Sequence, residues 1–273
     1  MRTILVPTDL SDAANNALEY AAKIALAING KLLIANIKLA TDAEVTAEPL
    51  NCRYIRTTTD ILRDISESTQ KTFSVPCNFV EKSTKQNLQK AIAKLSAETD
   101  LIVMGTNGTD DTYQYFFGTN TYQVIKKTKC PVFVIPEAVS YKSIQKIVFA
   151  WDYTRDNKAA FLQMNNLLEG FSYDIIFLHI SHQKTIISDD VFDALKEEVC
   201  SSLNDVGNIQ FKRIFSEEPE NFSDKLHEFM EDSNADLLAI TYYDRGIIPN
   251  LFHGNITRKL TEAVTYPLLV LHE

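Results

Sequence analysis

Apolar residues in this chain gather into short unbroken runs, separated by stretches where they recur every three or four positions. The run Ile4 to Val6 predicts a strand. After the polar turn "TDLSD", Ala14, Leu18, Ala21, Ala22 and Ala25 fall on one face of a helix that ends near Asn29-Gly30. Leu32 to Ile37 is the second strand. Beyond a polar connection, Ile61 to Phe73 is a helix and Asn78 to Val80 a short third strand. Leu88, Ile92 and Leu95 stripe another helix, Leu101 to Met104 is a buried strand, Tyr122 to Lys127 lies on a helix, and Val132 to Ile135 is the fifth strand. Strands that stay apolar at successive positions are covered on both faces, and their alternation with helices makes the sheet parallel. The segment Lys38 to Asp60, rich in Thr, Ala and Asp, is expected to be the longest loop and the most mobile part.

The pattern then repeats. "TDLIVMGT" at Thr99 to Thr106 matches "ADLLAITY" at Ala235 to Tyr242, and "KCPVFVIPE" at Lys129 to Glu137 matches "TYPLLVLHE" at Thr265 to Glu273, both offset by 136 positions. Near the start, "TILVPTD" at Thr3 to Asp9 matches "KIVFAWD" at Lys146 to Asp152 with an offset of 143, so the second copy is seven residues shorter between its first and fourth strands. The chain therefore reads as two tandem doubly wound α/β domains of Rossmann-like type, 1–137 and 144–273, each with a five-stranded parallel sheet. The polar stretch "EAVSYKSIQ", Glu137 to Gln145, is the boundary. Two like domains on so short a linker are expected to pack as an intramolecular pseudo-dimer.

Composition narrows the partners. With 273 residues, each copy is long enough to bury a core of its own, and no apolar run approaches the 18 residues that suggest a membrane span. The start of the chain carries one basic residue and a short apolar run, which does not read as a secretory signal, so a cytoplasmic location is expected. Cys52, Cys77, Cys130 and Cys200 stand far apart with no CxxC pair and are expected as buried, reduced thiols. The net charge of -9 argues against nucleic acid as a partner. Residues 1–137 hold 15 acidic and 15 basic side chains and the remainder 21 and 12, so an anionic ligand meets less repulsion in the first half.

Open parallel sheets bind ligands beyond the carboxyl ends of their strands, where strand order reverses. Asp9, Ile37 and Gly105 follow or end strands one, two and four. In "MGTNGTDDTYQYFFGTN", Gly118 opens a helix whose first backbone N–H groups lack partners and favour an anion, and Thr119 adds a hydroxyl. The spacing is neither a Walker loop nor GxGxxG. Gly105-x2-Gly108-x9-Gly118-Thr119, between "DLIVMG" and "CPVFVIP", resembles the ATP-binding signature of the universal stress protein family, and "ILVPTDLSDAANNALEYA" is similar to that family's first strand and helix. The resemblance implies strand order 3-2-1-4-5 and ATP as ligand, with or without magnesium. It implies roles by position: Asp9 and the Ile37 backbone at the adenine, Pro7 and Gly105 at the ribose, Thr8 and Met104 beside them, and Gly108, Gly118, Thr119 and Asn120 at the phosphates. Asn120 departs from the serine many members have there. Asp110 and Asp111 are weighed as magnesium ligands against a solvated loop tip, and the loop tip is favoured.

In the second copy Thr241 stands for Gly105, Asp244 for Gly108, Ala150 for Pro7 and Asn255 for Thr119, while Asp152 and Gly254 persist. A carboxylate in the phosphate loop repels the ligand, so this half is expected not to bind ATP and to pair with the first through its fifth strand. All five histidines lie here. His179 and His182 form an HxxH at a strand end, where alternation makes a shared metal awkward and a structural histidine the favoured reading. Trp151 is read as an aromatic plugging the degenerate pocket rather than a stacking platform. Tyr113, Tyr115, Phe116 and Phe117 either cover a nucleotide or pack the loop onto its own domain. No nucleophile with a paired base is recognisable and no catalytic or metal-ligating residue is assigned. The expectation is an ATP-binding regulator or interaction module, with a slow ATPase and a nucleotide-free interaction protein as alternatives, and with homodimerisation open.

Overall fold

A computed structural model of the chain describes residues 1–39, 56–85, 87–106, 119–153, 155–181, 189–203, 206–215, 222–243, 246–247 and 266–273. The first repeat runs β1 (Thr3–Pro7), α1 (Asp12–Ala27), β2 (Lys31–Leu39), α2 (Thr58–Phe73), β3 (Cys77–Thr84), α3 (Leu88–Ser96), β4 (Leu101–Thr106), α4 (Thr119–Ile125) and β5 (Val132–Pro136). The second runs β6 (Lys146–Ala150), α5 (Lys158–Leu168), β7 (Asp174–Ser181), α6 (Asp189–Ser202), β8 (Ile209–Phe215), α7 (Phe222–Ser233), β9 (Leu237–Tyr243), β10 (Gly246–Ile247) and β11 (Leu268–His272).

Local chemistry fixes the helix ends. The Ser11 side chain accepts from Ala14 N–H to start α1, and Asn29, at φ 51°, lets the Gly30 N–H turn back to the Ala25 carbonyl at 2.7 Å. Thr57 and Asp60 form a reciprocal capping box at the start of α2. That box places Thr58 to Asp60 on the helix, and Lys38 and Leu39 belong to β2, so the connection is shorter at both ends than the apolar pattern indicated. Residues 40–55, where greatest mobility was expected, lie outside the described residues.

The strands order as β3-β2-β1-β4-β5-β11-β9-β6-β7-β8, with β10 pairing β9. Each repeat thus has the order 3-2-1-4-5. The repeats join where β5 and β11 pair antiparallel, Leu268 opposite Val134 and Val270 opposite Val132. The two parallel sheets become one. Strand residues alternate between two apolar layers: Ile4, Val6, Phe133 and Leu269 face the layer under α1, α2, α5 and α6, and Leu5, Val132, Val134 and Val270 face the layer under α3, α4 and α7. Both layers continue across the β5–β11 junction. Arg2 adds a tie, donating to the Leu167 carbonyl at 3.3 Å and pairing with Glu169.

Candidate functional site

β1 pairs with β2 on one side and β4 on the other, so its carboxyl end is the reversal point of the first repeat. Pro7 is the last β1 residue opposite β2, facing Ala35, and the Thr8 N–H still reaches the Ala35 carbonyl at 2.9 Å. Odd-numbered residues of β2 turn their backbone groups toward β1, as Lys31 and Ala35 do. The N–H and carbonyl of Ile37 therefore point to the same side one step beyond the end of β1, facing the crevice. Asp9 is exposed there and accepts from Ser11 N–H at 3.0 Å. Partial burial raises its pKa, but the hydrogen bonds from Ser11 and from its own backbone outweigh this and hold the carboxyl below the usual aspartate value. Leu10 takes φ 69°, and its N–H bonds the Thr8 hydroxyl at 3.0 Å.

By the pairing of Leu5 with Ile102, Pro7 stands level with Met104 and Thr8 with Gly105. The Met104 side chain is buried in the α3–α4 layer, so only its backbone can meet a ligand. Gly105 lies under the first turn of α1, where an added Cβ would stand 2.2 Å from the Ala13 carbonyl oxygen. Asn120 is exposed on α4, and its side-chain oxygen accepts from Gln89 of α3 at 2.6 Å. Thr119 is the first residue of α4, a helix of seven residues, so the axial dipole available to an anion is modest. Gly108, Gly118, Asp110, Asp111 and the aromatics from Tyr113 to Phe117 lie outside the described residues. Pro7, Thr8, Asp9, Ile37, Met104 and Gly105 share one edge of the sheet.

Asn36 belongs to this edge, although the apolar pattern did not single it out. Its side chain donates to the Thr8 carbonyl at 2.9 Å, and its own oxygen is buried without a hydrogen-bond partner among the described residues. The signal was one polar residue inside the run "LLIANI". Its counterpart in the second repeat is His179, whose Nδ1 lies 2.9 Å from the Trp151 carbonyl. A carbonyl only accepts, so Nδ1 carries the proton, and burial lowers the pKa of this imidazole. Both repeats thus use a strand-two side chain to hold the carbonyl where strand one ends.

The second repeat closes the equivalent place with its own side chains. Asp152 is buried, with Arg155 Nε 3.4 Å from its carboxylate, and the Arg155 guanidinium sits 4.5 Å over the Tyr243 ring. Asn157 is the hub. It donates to the Asp152 and Arg155 carbonyls at 3.0 and 2.8 Å and accepts from the hydroxyls of Thr241 and Tyr243 at 3.2 and 2.7 Å. Burial first, and then the Asp152 charge, push the Tyr243 phenol up to about 12. Trp151 is not the plug: it is buried in the core against Tyr153, Phe177, Phe192 and Phe211. With Thr241 in place of glycine, α5 starts at Lys158, three residues later than α1 by the repeat offset. A cavity of about 210 Å³ is left beside that start, lined among others by Trp151, Phe161, Leu195 and Glu198.

Among the described residues no group of three or more His, Cys, Asp or Glu gathers into a metal site, and His182 lies outside them. Cys77 and Cys130 are buried free thiols, the latter pushed up to about 12 by burial, whereas Cys200 is exposed on α6, contrary to expectation. No described helix is long and apolar enough to cross a membrane.

Comparison with known proteins gives a consistent set of relatives. The family model described as "Universal stress protein family" matches residues 1–136. A universal stress protein of Synechocystis sp. is 22% identical over 301 aligned positions, spanning 98% of this chain and 99% of that protein. The crystal structure of a universal stress protein from Archaeoglobus fulgidus has a TM-score of 0.72 at 15% identity, covering 99% of this chain and 98% of that one. A putative universal stress protein from Pseudomonas aeruginosa has a TM-score of 0.58 at 15% identity, covering 100% and 93%. At such identities the structural likeness speaks for the fold.

Proposed function

Since the chain belongs to the universal stress protein family, we propose that residues 1–137 form a domain that binds ATP, and that occupancy of this site regulates which partners the protein engages. Residues 144–273 are the supporting domain with a closed pocket. One observation carries the reading: Asp9 is exposed at the carboxyl edge of the sheet, while Asp152, its counterpart, is buried and paired with Arg155, whose guanidinium lies over the Tyr243 ring. The adenine lies against Asp9 and the Ile37 backbone, and the ribose against Pro7 and Gly105, with the Thr8 and Met104 backbones alongside. The phosphates extend toward Gly108, Gly118, Thr119 and Asn120. Magnesium, when bound, neutralises phosphate charge and is held mainly by phosphate oxygens and water.

Calorimetric titration of the full chain with MgATP tests the site. Asp9→Ala removes a ligand-facing acceptor and is expected to weaken binding by about tenfold. Gly118→Asp adds a carboxylate where phosphate is expected and should abolish binding. Wild-type protein that binds no nucleotide, or undiminished binding by Gly118→Asp, sinks the proposal. The first half contains no histidine to shuttle a proton, so turnover is expected to be slow. Phosphate release above background that Asp9→Ala eliminates would move the protein into the enzyme class.

A further inference from the structure

His272, at the end of β11, is 1% exposed, and its Nε2 lies 3.0 Å from the backbone oxygen of Ile125. The carbonyl only accepts, so Nε2 carries the proton and donates. Ile125 is the last residue of α4, and the final carbonyls of a helix have no partner within it. Its neighbours are served from inside the first repeat: Tyr122 by the Lys126 N–H at 3.1 Å, and Val124 by the N–H groups of Lys127 and Thr128 at 2.9 and 3.1 Å. The Ile125 carbonyl is served across the repeat boundary.

The register explains the reach. β11 runs antiparallel to β5, so beyond the Val270–Val132 pair it passes the turn that links α4 to β5. Gln163 of α5 strengthens the contact: its oxygen accepts from the His272 backbone N–H at 2.9 Å, and its amide nitrogen lies 3.4 Å from the Lys129 carbonyl. The repeat offsets pair His272 with Pro136 and Gln163 with Tyr20. Proline has no side-chain donor for the reciprocal bond, and Tyr20 packs against Phe133 and Tyr141 instead.

We propose that His272 is a positioning residue for the nucleotide site: from the second repeat it caps the carboxyl end of α4, the helix whose first residue is Thr119. A helix this short is not maintained by propensity, so tertiary bonds set how firmly it holds. The second repeat thereby acts on a site it does not line. The functional part of this inference rests on the ATP site proposed above, and the structural part on the geometry of His272 alone.

Hydrogen exchange on the nucleotide-free full chain, followed by MgATP titration, separates the two. His272→Ala should speed exchange of the α4 amides at least about fivefold, while α2 and α3 amides stay unchanged. His272→Gln, which keeps a donor of similar reach, should restore wild-type exchange. MgATP affinity should fall and recover in the same two variants. Unchanged α4 exchange in His272→Ala overturns the inference, as does a uniform rise through the whole chain that glutamine fails to rescue. Normal affinity alongside accelerated α4 exchange also overturns it, because the cap would then not reach the site. If the wild type binds no nucleotide, the site proposal fails by itself, and the cap stands or falls on exchange.

Discussion

Gly105 lies where the first turn of α1 crosses β4, with the Ala13 carbonyl oxygen 2.2 Å from the position of a Cβ. No rotamer relieves a contact with backbone, so Gly105→Ala must shift the helix start. It is expected to cost about 1–3 kcal/mol of stability in urea unfolding without nucleotide. An unaltered midpoint would show that α1 moves freely. Loss of ATP binding in this variant would therefore say little about the ligand, which makes Asp9→Ala and Gly118→Asp the better probes. The glycine was legible in the sequence, but one of its two reasons was not. Spacing along "MGTNG" marked a loop able to approach a ligand, whereas the approach of Ala13 is a contact across about ninety positions that no local pattern carries. Asn36 was missed for a related cause: its partner, the Thr8 carbonyl, comes from another strand.

Element by element, the alternation of apolar runs and helical stripes located every described strand and helix of the first repeat, because each of these strands is buried on both faces except at the sheet margin. β3 is that margin. Its outer half includes Glu81, Lys82 and Ser83, so the apolar pattern predicted only Asn78 to Val80 where the strand spans Cys77–Thr84. β10 was missed because two residues carry no period. The start of α5 differs more from its α1 counterpart: Asn157, the residue before the helix, accepts from Thr241, 84 positions away, a contact no local pattern carries. Asn157 makes four bonds in the closed pocket, to two carbonyls and two hydroxyls. Asn157→Ala leaves those buried groups unpaired and is expected to destabilise by about 3–5 kcal/mol. Thermal unfolding of the variant checks this, and a loss below about 1 kcal/mol would mean that water enters and replaces the amide.

For the whole molecule, one eleven-stranded sheet among the described residues and two apolar layers that cross the β5–β11 junction leave no plane along which the repeats can part without exposing core. Phe133 and Leu269 are fully buried at the seam on one side, and Val132, Val134, Leu268 and Val270 on the other. Separating the halves would strip these residues of cover and open two strand edges. The tandem chain is therefore expected to unfold as one cooperative unit. Its single tryptophan makes this measurable, because Trp151 lies in the second repeat whereas far-ultraviolet circular dichroism reads both. Urea transitions followed by the two signals should coincide. A fluorescence transition displaced from the dichroism transition would mean that the second repeat melts alone. In that case its strand pairing and the His272 cap would be too weak to hold the first repeat in place.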